Sequence, residues 1–212
     1  MLRSPLGEMV YPKVTEPDTK YKDEGEYSTK LRVPMDLAKP LMAAIDKEAA
    51  ESLAAAIEKA DTAKAKKAWE TKYVPYEIEE DDDGEPTGCV LFKFSMKASG
   101  KSKKTGKTWT RKPALFDAKG TPLKNAQIWG GTTAKISFSF QQYAQTAQTG
   151  ASVKMALEAV QVIDLVSGGT RSADAYGFDE EDGYEVVEED QMPETDEVAA
   201  PAGSDSDDED DF

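Results

Sequence analysis

Three segments of this chain alternate apolar and polar residues with a period of two, a pattern that fits half-buried β-strands and little else. In "GEYSTKLRVP", Tyr27, Thr29, Leu31 and Val33 share one face, and Ser28, Lys30 and Arg32 the other. In "VLFKFSMKA", Phe92, Phe94 and Met96 oppose Lys93, Ser95 and Lys97. In "AKISFSFQQY", Ile136, Phe138 and Phe140 face inward, and Lys135, Ser137, Ser139, Gln141 and Tyr143 outward. "TWTRKPALF" (108–116) is expected to pair with "VLFKFSMKA" across "SGKSKKTGK", a hairpin with a long basic tip. "ASVKMALEAVQVIDLV" turns Val153, Met155 and Leu157 inward and breaks phase near Val160, where a bulge fits.

Between the first two strands, Pro34 and Asp36 open a helix expected over 36–70. Its apolar stripe is Leu41, Ile45, Ala49, Leu53 and Ile57. Pro40 is tolerated because it lies near the helix start. "IEEDDDGEP" (78–86) is read as a polar loop. Five or six short antiparallel strands with aromatic inner faces, plus one long helix, predict a mainly β chain folded as a small closed barrel such as the OB-fold. The pattern stops after Gly168 and Gly169. A barrel domain over 1–169 and a disordered acidic tail over 170–212 are therefore expected.

The net charge is −15, which for the whole chain argues against a nucleic-acid partner. Divided at Thr170, the picture changes. Residues 1–170 hold 25 Lys and Arg against 23 Asp and Glu, and residues 171–212 hold 1 Arg against 18 acids. The acidity belongs to the tail, and such asymmetry marks an interaction tail. Residues 86–154 hold 12 Lys and Arg and one acid, Asp117, which is read as the anchor of a turn in "FDAKG".

Cations neutralise phosphates and release counterions, and flat rings stack on bases. The candidate phosphate contacts are Lys30, Arg32, Lys93, Lys97, Lys101, Lys103, Lys104, Lys107, Arg111, Lys112 and Lys135. Trp109, on one strand face with Arg111, is expected at an exposed or rim position and is a stacking candidate. Tyr143, on one face with Lys135, is a second stacking candidate, whereas Trp129 in "IWGG" is read as a packing residue. The tail ending "SDSDDEDDF" spaces negative charge as single-stranded DNA does. It can compete for the basic face or reach a basic partner, with Asp207, Asp208, Glu209, Asp210, Asp211 and Phe212 as its partner-binding end.

Other classes are disfavoured. The chain has no histidine, the commonest zinc ligand and general base, and no carboxylate pair placed on the barrel, so an enzyme is not expected. "GKT" (106–108) imitates the end of a phosphate-binding loop. The required glycine five residues before Gly106 is Lys101, and a strand follows where a helix should. The loop around Gly84 lacks the calcium-loop register, with Glu79 and Val90 at two key places. No cofactor or metal is expected. The single Cys89, the absence of a signal-peptide core and the absence of a membrane-length apolar run suggest a soluble protein of a reducing compartment. A second function class fits the same charges: an acidic-tailed assembly or chaperone factor whose basic barrel face docks a protein.

"EYSTKLRVPMD" before a helix, "FKFSMKAS", "GGTTAKISFSF", "TGASVKMALEAVQVIDL" and the acidic ending "DDF" together resemble the phage single-stranded DNA-binding proteins of the T-seven type. "GASVK" and the terminal acid-plus-Phe are the most specific elements. The resemblance covers nearly the whole chain. It implies an OB barrel, often a homodimer, that coats single-stranded DNA in replication, recombination and repair within the bacterial host cytoplasm. It also implies a tail that contacts replication proteins such as DNA polymerase and helicase-primase. By position, the Lys135 strand and Tyr143 match part of the family's DNA face, and Phe212 its terminal aromatic. Two departures stand out. The tip 101–107 is more basic than the pattern demands, which also suits duplex DNA. The helix comes earlier than the OB order places it, so either a strand lies within 1–25, with "EMVYPKVTE" the candidate, or the order differs.

Overall fold

The computed structural model of the chain describes residues 1–20, 23–102, 104–124, 126–144 and 146–166. The expectations for Lys103 and for 170–212, Asp207 to Phe212 included, lie outside the described residues.

The period-two segments are strands. β1 (Leu2–Arg3) and β2 (Gly7–Asp18) precede β3 (Glu26–Pro34), so "EMVYPKVTE" is indeed a strand. After α1 (Met35–Glu58) and α2 (Ala63–Ala68) come β4 (Tyr76–Glu80), β5 (Pro86–Lys97), β6 (Ser99–Lys101), β7 (Thr108–Thr110), β8 (Ala114–Phe116), β9 (Thr133–Ala144) and β10 (Ala151–Asp164).

Five of these strands close on themselves in the order β2–β3–β5–β10–β9, and β9 returns to β2 through Gly7↔Ala134 and Glu8↔Thr133. The β5–β10 pair is parallel and the others antiparallel, as in a five-stranded OB-like barrel. Closure requires the backbones to approach closely at Gly7, where a Cβ would lie 2.5 Å from the Arg32 carbonyl oxygen. The helix α1 follows the second barrel strand, so the order does differ from the expected one.

The inward residues fill the barrel. Phe92, Phe94, Phe138, Met9, Leu31, Ile136, Met155 and Leu157 are fully buried. Phe94 meets Phe138 edge-on at 5.3 Å, and Phe138 meets Phe140 at 5.4 Å. The phase break in β10 is real: the register with β9 shifts between Leu157 and Ala159, which turns Val160 and Val162 inward.

The helix differs from expectation in two ways. It ends at Glu58, and Thr62 then caps α2 by accepting a hydrogen bond from the Ala65 N–H at 3.1 Å. Its buried stripe runs Ala38, Leu41, Ile45, Ala49, Ser52 and Ala56, leaving Leu53 and Ile57 half-buried. Small residues at the lower end let the helix approach β9, where Ser52 donates to the Tyr143 carbonyl at 3.1 Å.

Two strand readings are corrected. "TWTRKPALF" forms no ladder with "VLFKFSMKA" beyond one backbone bond, from the Arg111 N–H to the Ala98 carbonyl at 2.7 Å. Its first part, β7, pairs with β6, and its last part, β8, runs parallel to β10. Pro113 divides them: it supplies no N–H to a ladder, and its side chain is buried. The stretch read as a polar loop begins with β4, which pairs with β5. Its acids masked the alternation of Tyr76 and Ile78 with Glu77 and Glu79.

Candidate nucleic-acid interface

The outward faces of the barrel strands carry the candidate residues in two zones. In the first, β3 and β4 flank the upper half of β5. Lys30 pairs with Glu77, and Arg32 hydrogen-bonds Glu79 through Nε at 2.9 Å and reaches Glu8 at 3.4 Å. The hydrogen bond to Glu79 raises the Arg32 pKa. Burial would push the Glu79 carboxyl up, but hydrogen bonds from Arg32 and Thr87 outweigh it and hold the group below its ordinary value. These two sequence-predicted cations are therefore already neutralised by acids from the strand that the sequence reading missed.

The second zone lies lower on β5 and continues onto β10. Outward from β5 stand Lys93, Ser95 and Lys97. Lys97 is paired with Glu24 at 2.8 Å, an exposed contact worth about 1 kcal/mol at most. The β6–β7 hairpin folds back beside this surface. Gly100 faces Trp109 across the hairpin, where a Cβ would lie 2.5 Å from the indole ring. Only glycine lets the ring lie so close to the strand. Arg111 stacks on the Trp109 ring, its guanidinium carbon 4.6 Å from the ring centroid. The ring is half-buried, which is the rim position expected. A cleft of about 170 Å³ is bordered by Ser95, Lys97, Trp109, Arg111, Gln141 and Lys154.

Lys154 is a residue the sequence reading passed over. It lies on β10 directly opposite Gln141, on the outward side of a strand whose neighbours Val153 and Met155 point inward. The alternation alone could have flagged it. Among the described residues, Lys93, Lys101, Lys104, Lys107, Arg111, Lys112 and Lys154 make no ion pair. Lys101, Lys104 and Lys107 are exposed on the hairpin, whose turn closes through the Gly106 N–H to the Ser102 carbonyl at 2.8 Å.

Residues 70–75 run beside the start of β10, tied by Ala151 N–H to the Glu70 carbonyl at 3.1 Å and by Ser152 Oγ to the Tyr73 carbonyl. The Lys93 N–H bonds to the Pro75 carbonyl at 2.9 Å. Burial, then the neighbouring Tyr143 and Glu77, raise the Tyr73 pKa. Tyr143 stands at the end of β9, half-buried, and borders a second cleft of about 310 Å³ with Lys59, Trp69 and Gln142.

Lys135 is not brought to this zone. It lies eight residues from Tyr143, about 27 Å along the strand. It borders another cleft with Arg3, Ser137 and Gln161. Sharing a face by parity does not make two residues neighbours on a strand this long. Trp129 is also unlike its reading. It is 50% exposed, not packed, and borders a groove with Tyr11.

Asp117 anchors its turn as read, accepting from the Thr121 N–H at 2.7 Å and the Lys119 N–H at 2.9 Å, and the Thr121 bond leads in lowering its pKa. Among the described residues no group of three or more Cys, Asp or Glu is placed to hold a metal ion. No helix among them is long and apolar enough to cross a membrane.

A ring-bearing hairpin and unpaired cations over a closed five-stranded barrel define a nucleic-acid-binding class of surface. The family described as single-stranded DNA-binding protein, bacteriophage T7, matches residues 7–165. The chain is 34% identical over 103 residues to the single-stranded DNA-binding protein of enterobacteria phage T3, covering 48% of this chain and 44% of that one. It spans about half the length of the curated relatives it matches. The crystal structure of gp2.5, a single-stranded DNA-binding protein encoded by bacteriophage T7, superposes with a TM-score of 0.65 at 28% identity, over 88% of this chain and 98% of that one. The single-stranded DNA-binding protein of bacteriophage Enc34, solved with single-stranded DNA, shares the fold at 14% identity, with a TM-score of 0.52 over 79% of this chain and 88% of that one. The chain belongs to the T7-type family of phage single-stranded DNA-binding proteins, a family of binding proteins and not of enzymes.

Proposed function

We propose that this protein binds single-stranded DNA without sequence preference and acts in phage DNA replication, recombination and repair. The observation that carries the reading is the half-exposed Trp109 ring bordered by two cations that make no ion pair, Arg111 and Lys154, with Lys93 outward further along β5. The relatives' own role as single-stranded DNA-binding proteins supports it. Phosphates meet these cations and the hairpin lysines, while Trp109 and Tyr143 supply faces for bases. Lys30 and Arg32 join only if their carboxylate partners give way. In this proposal the acidic tail competes for the basic face in the absence of DNA. When DNA fills that face, the tail, led by Phe212, recruits replication proteins such as DNA polymerase and helicase-primase. A homodimer and the host cytoplasm belong to the same proposal.

The test is fluorescence anisotropy with a labelled strand of about 30 nucleotides and the matching duplex, at several salt concentrations. Full-length protein and a version ending near residue 190 are compared. Tight single-strand binding with a steep salt slope, tightened by removing the tail, is the expected result. Absence of DNA binding in both versions would overturn the reading and favour a protein-docking surface.

A further inference from the structure

The barrel registers align one row of outer-face positions, of which Ala156 is buried at the Trp109 cleft. Lys13 pairs with Ser28, Ser28 with Ser95, Ser95 with Ala156, and Ala156 with Ser139. Neighbouring strands lie about 4.8 Å apart, so this low path crosses from β2 to the Trp109 cleft within about 15 Å. At the β2 end stands a pair of rings. Tyr11 is 82% exposed and Trp129 50% exposed, and both border one groove of about 320 Å³ with Lys13.

Local structure holds both rings outward. The β2–β3 register gains one residue between Val10 and Lys13, a bulge at Tyr11 and Pro12. Tyr11 has φ +49°, a left-handed conformation that a bulky side chain rarely adopts. On the other side, the Gly131 N–H bonds to the Met9 carbonyl at 2.9 Å, and the Met9 N–H to the Thr132 carbonyl at 2.8 Å. The loop bearing Trp129 is thus fastened to β2 two residues before Tyr11.

We infer that the Tyr11–Trp129 groove is a second base-stacking subsite, taking one nucleobase of the single strand while Lys13 meets the adjacent phosphate. The inference rests on the single-strand reading above. The occupant is a base because two rings line the groove and because Lys13, which borders it along with Glu16, is also the first residue of the row that leads to the Trp109 cleft. Two exposed rings on one groove offer π-faces that every base can use, which suits binding without sequence preference.

Tyr11→Gly and Trp129→Ala in the full chain test this by titration with the same labelled strand. Each is expected to weaken binding about 5- to 150-fold, the loss for one base–ring stack, with an unchanged salt slope because no phosphate contact is removed. Tyr11→Gly is expected to melt no lower than the parent, since glycine adopts a positive φ without strain, so its loss of affinity would not be a loss of fold. Trp129→Phe should recover most of the affinity. Parent binding with both variants equal to it would overturn the subsite and leave the single-strand reading standing. A parent that binds no strand would overturn both. A synthetic peptide "SDSDDEDDF" that binds the parent but not Trp129→Ala, with DNA affinity unchanged in that variant, would make the occupant a peptide and overturn the inference.

Discussion

Gly100 and Trp109 face each other across the β6–β7 hairpin so closely that a Cβ on Gly100 would lie 2.5 Å from the indole ring. The ring must therefore move if any side chain is added. Gly100→Val is expected to displace Trp109 and separate it from Arg111. Single-strand affinity should fall about 5-fold or more while the salt slope holds, because stacking and not phosphate contact is lost. Anisotropy titration checks this, and a parallel thermal melt should show little change, since the hairpin lies outside the barrel.

Lys154 is expected to meet one phosphate. Lys154→Ala should lower the slope of log affinity against log salt by about 0.7, the increment for one phosphate contact on a single strand. Titrations at four or more salt concentrations read this directly, and an unchanged slope would remove Lys154 from the interface.

The pairs made by Lys30 and Arg32 are expected to restrain DNA binding. Glu77→Gln with Glu79→Gln should free Lys30 and leave Arg32 only its 3.4 Å contact to Glu8, tighten binding and steepen the salt slope, as measured by the same titration.

Acid should act at the same place. The Glu79 carboxyl is held below its ordinary value of 4.5, so its contribution to stability is fully present above that value and is lost as pH falls through the depressed one. Arg32, its own pKa raised, stays charged throughout. Melts between pH 3 and pH 7 should therefore show a smaller acid-side loss in Glu79→Gln than in the parent.

The barrel core predicts a stability effect of another size. Phe138 is fully buried and packs edge-on against both Phe94 and Phe140. Phe138→Ala should destabilise by about 3–5 kcal/mol through lost burial and the cavity left behind. Urea titration should show a lower midpoint with an unchanged slope.

The strand faces were legible because alternation is a local property. Tyr27, Thr29, Leu31 and Val33 turn inward as the spacing requires, and the break near Val160 is the β10 bulge. The basic hairpin tip was equally visible, since lysines packed among turn residues have nowhere to go but solvent. Trp109 at a rim position followed from sharing its face with Arg111. Less legible were β4, whose acids hid a short alternation, and the division of "TWTRKPALF", which depends on which strand each half finds.

What the sequence determined by itself is which side of the alternating strands is wet, where the cations cluster and that Trp109 accompanies them. These follow from side-chain period and composition, which need no partner. Only the tertiary structure decided which cations stay free. Lys30 and Arg32 meet Glu77 and Glu79 from 47 residues away, because β4 lies beside β5. It also turned Trp129 out beside Tyr11, and carried Lys135 to the far end of β9 from Tyr143. Charge neutralisation and ring exposure depend on which distant segments meet, and the closure of the barrel sets that.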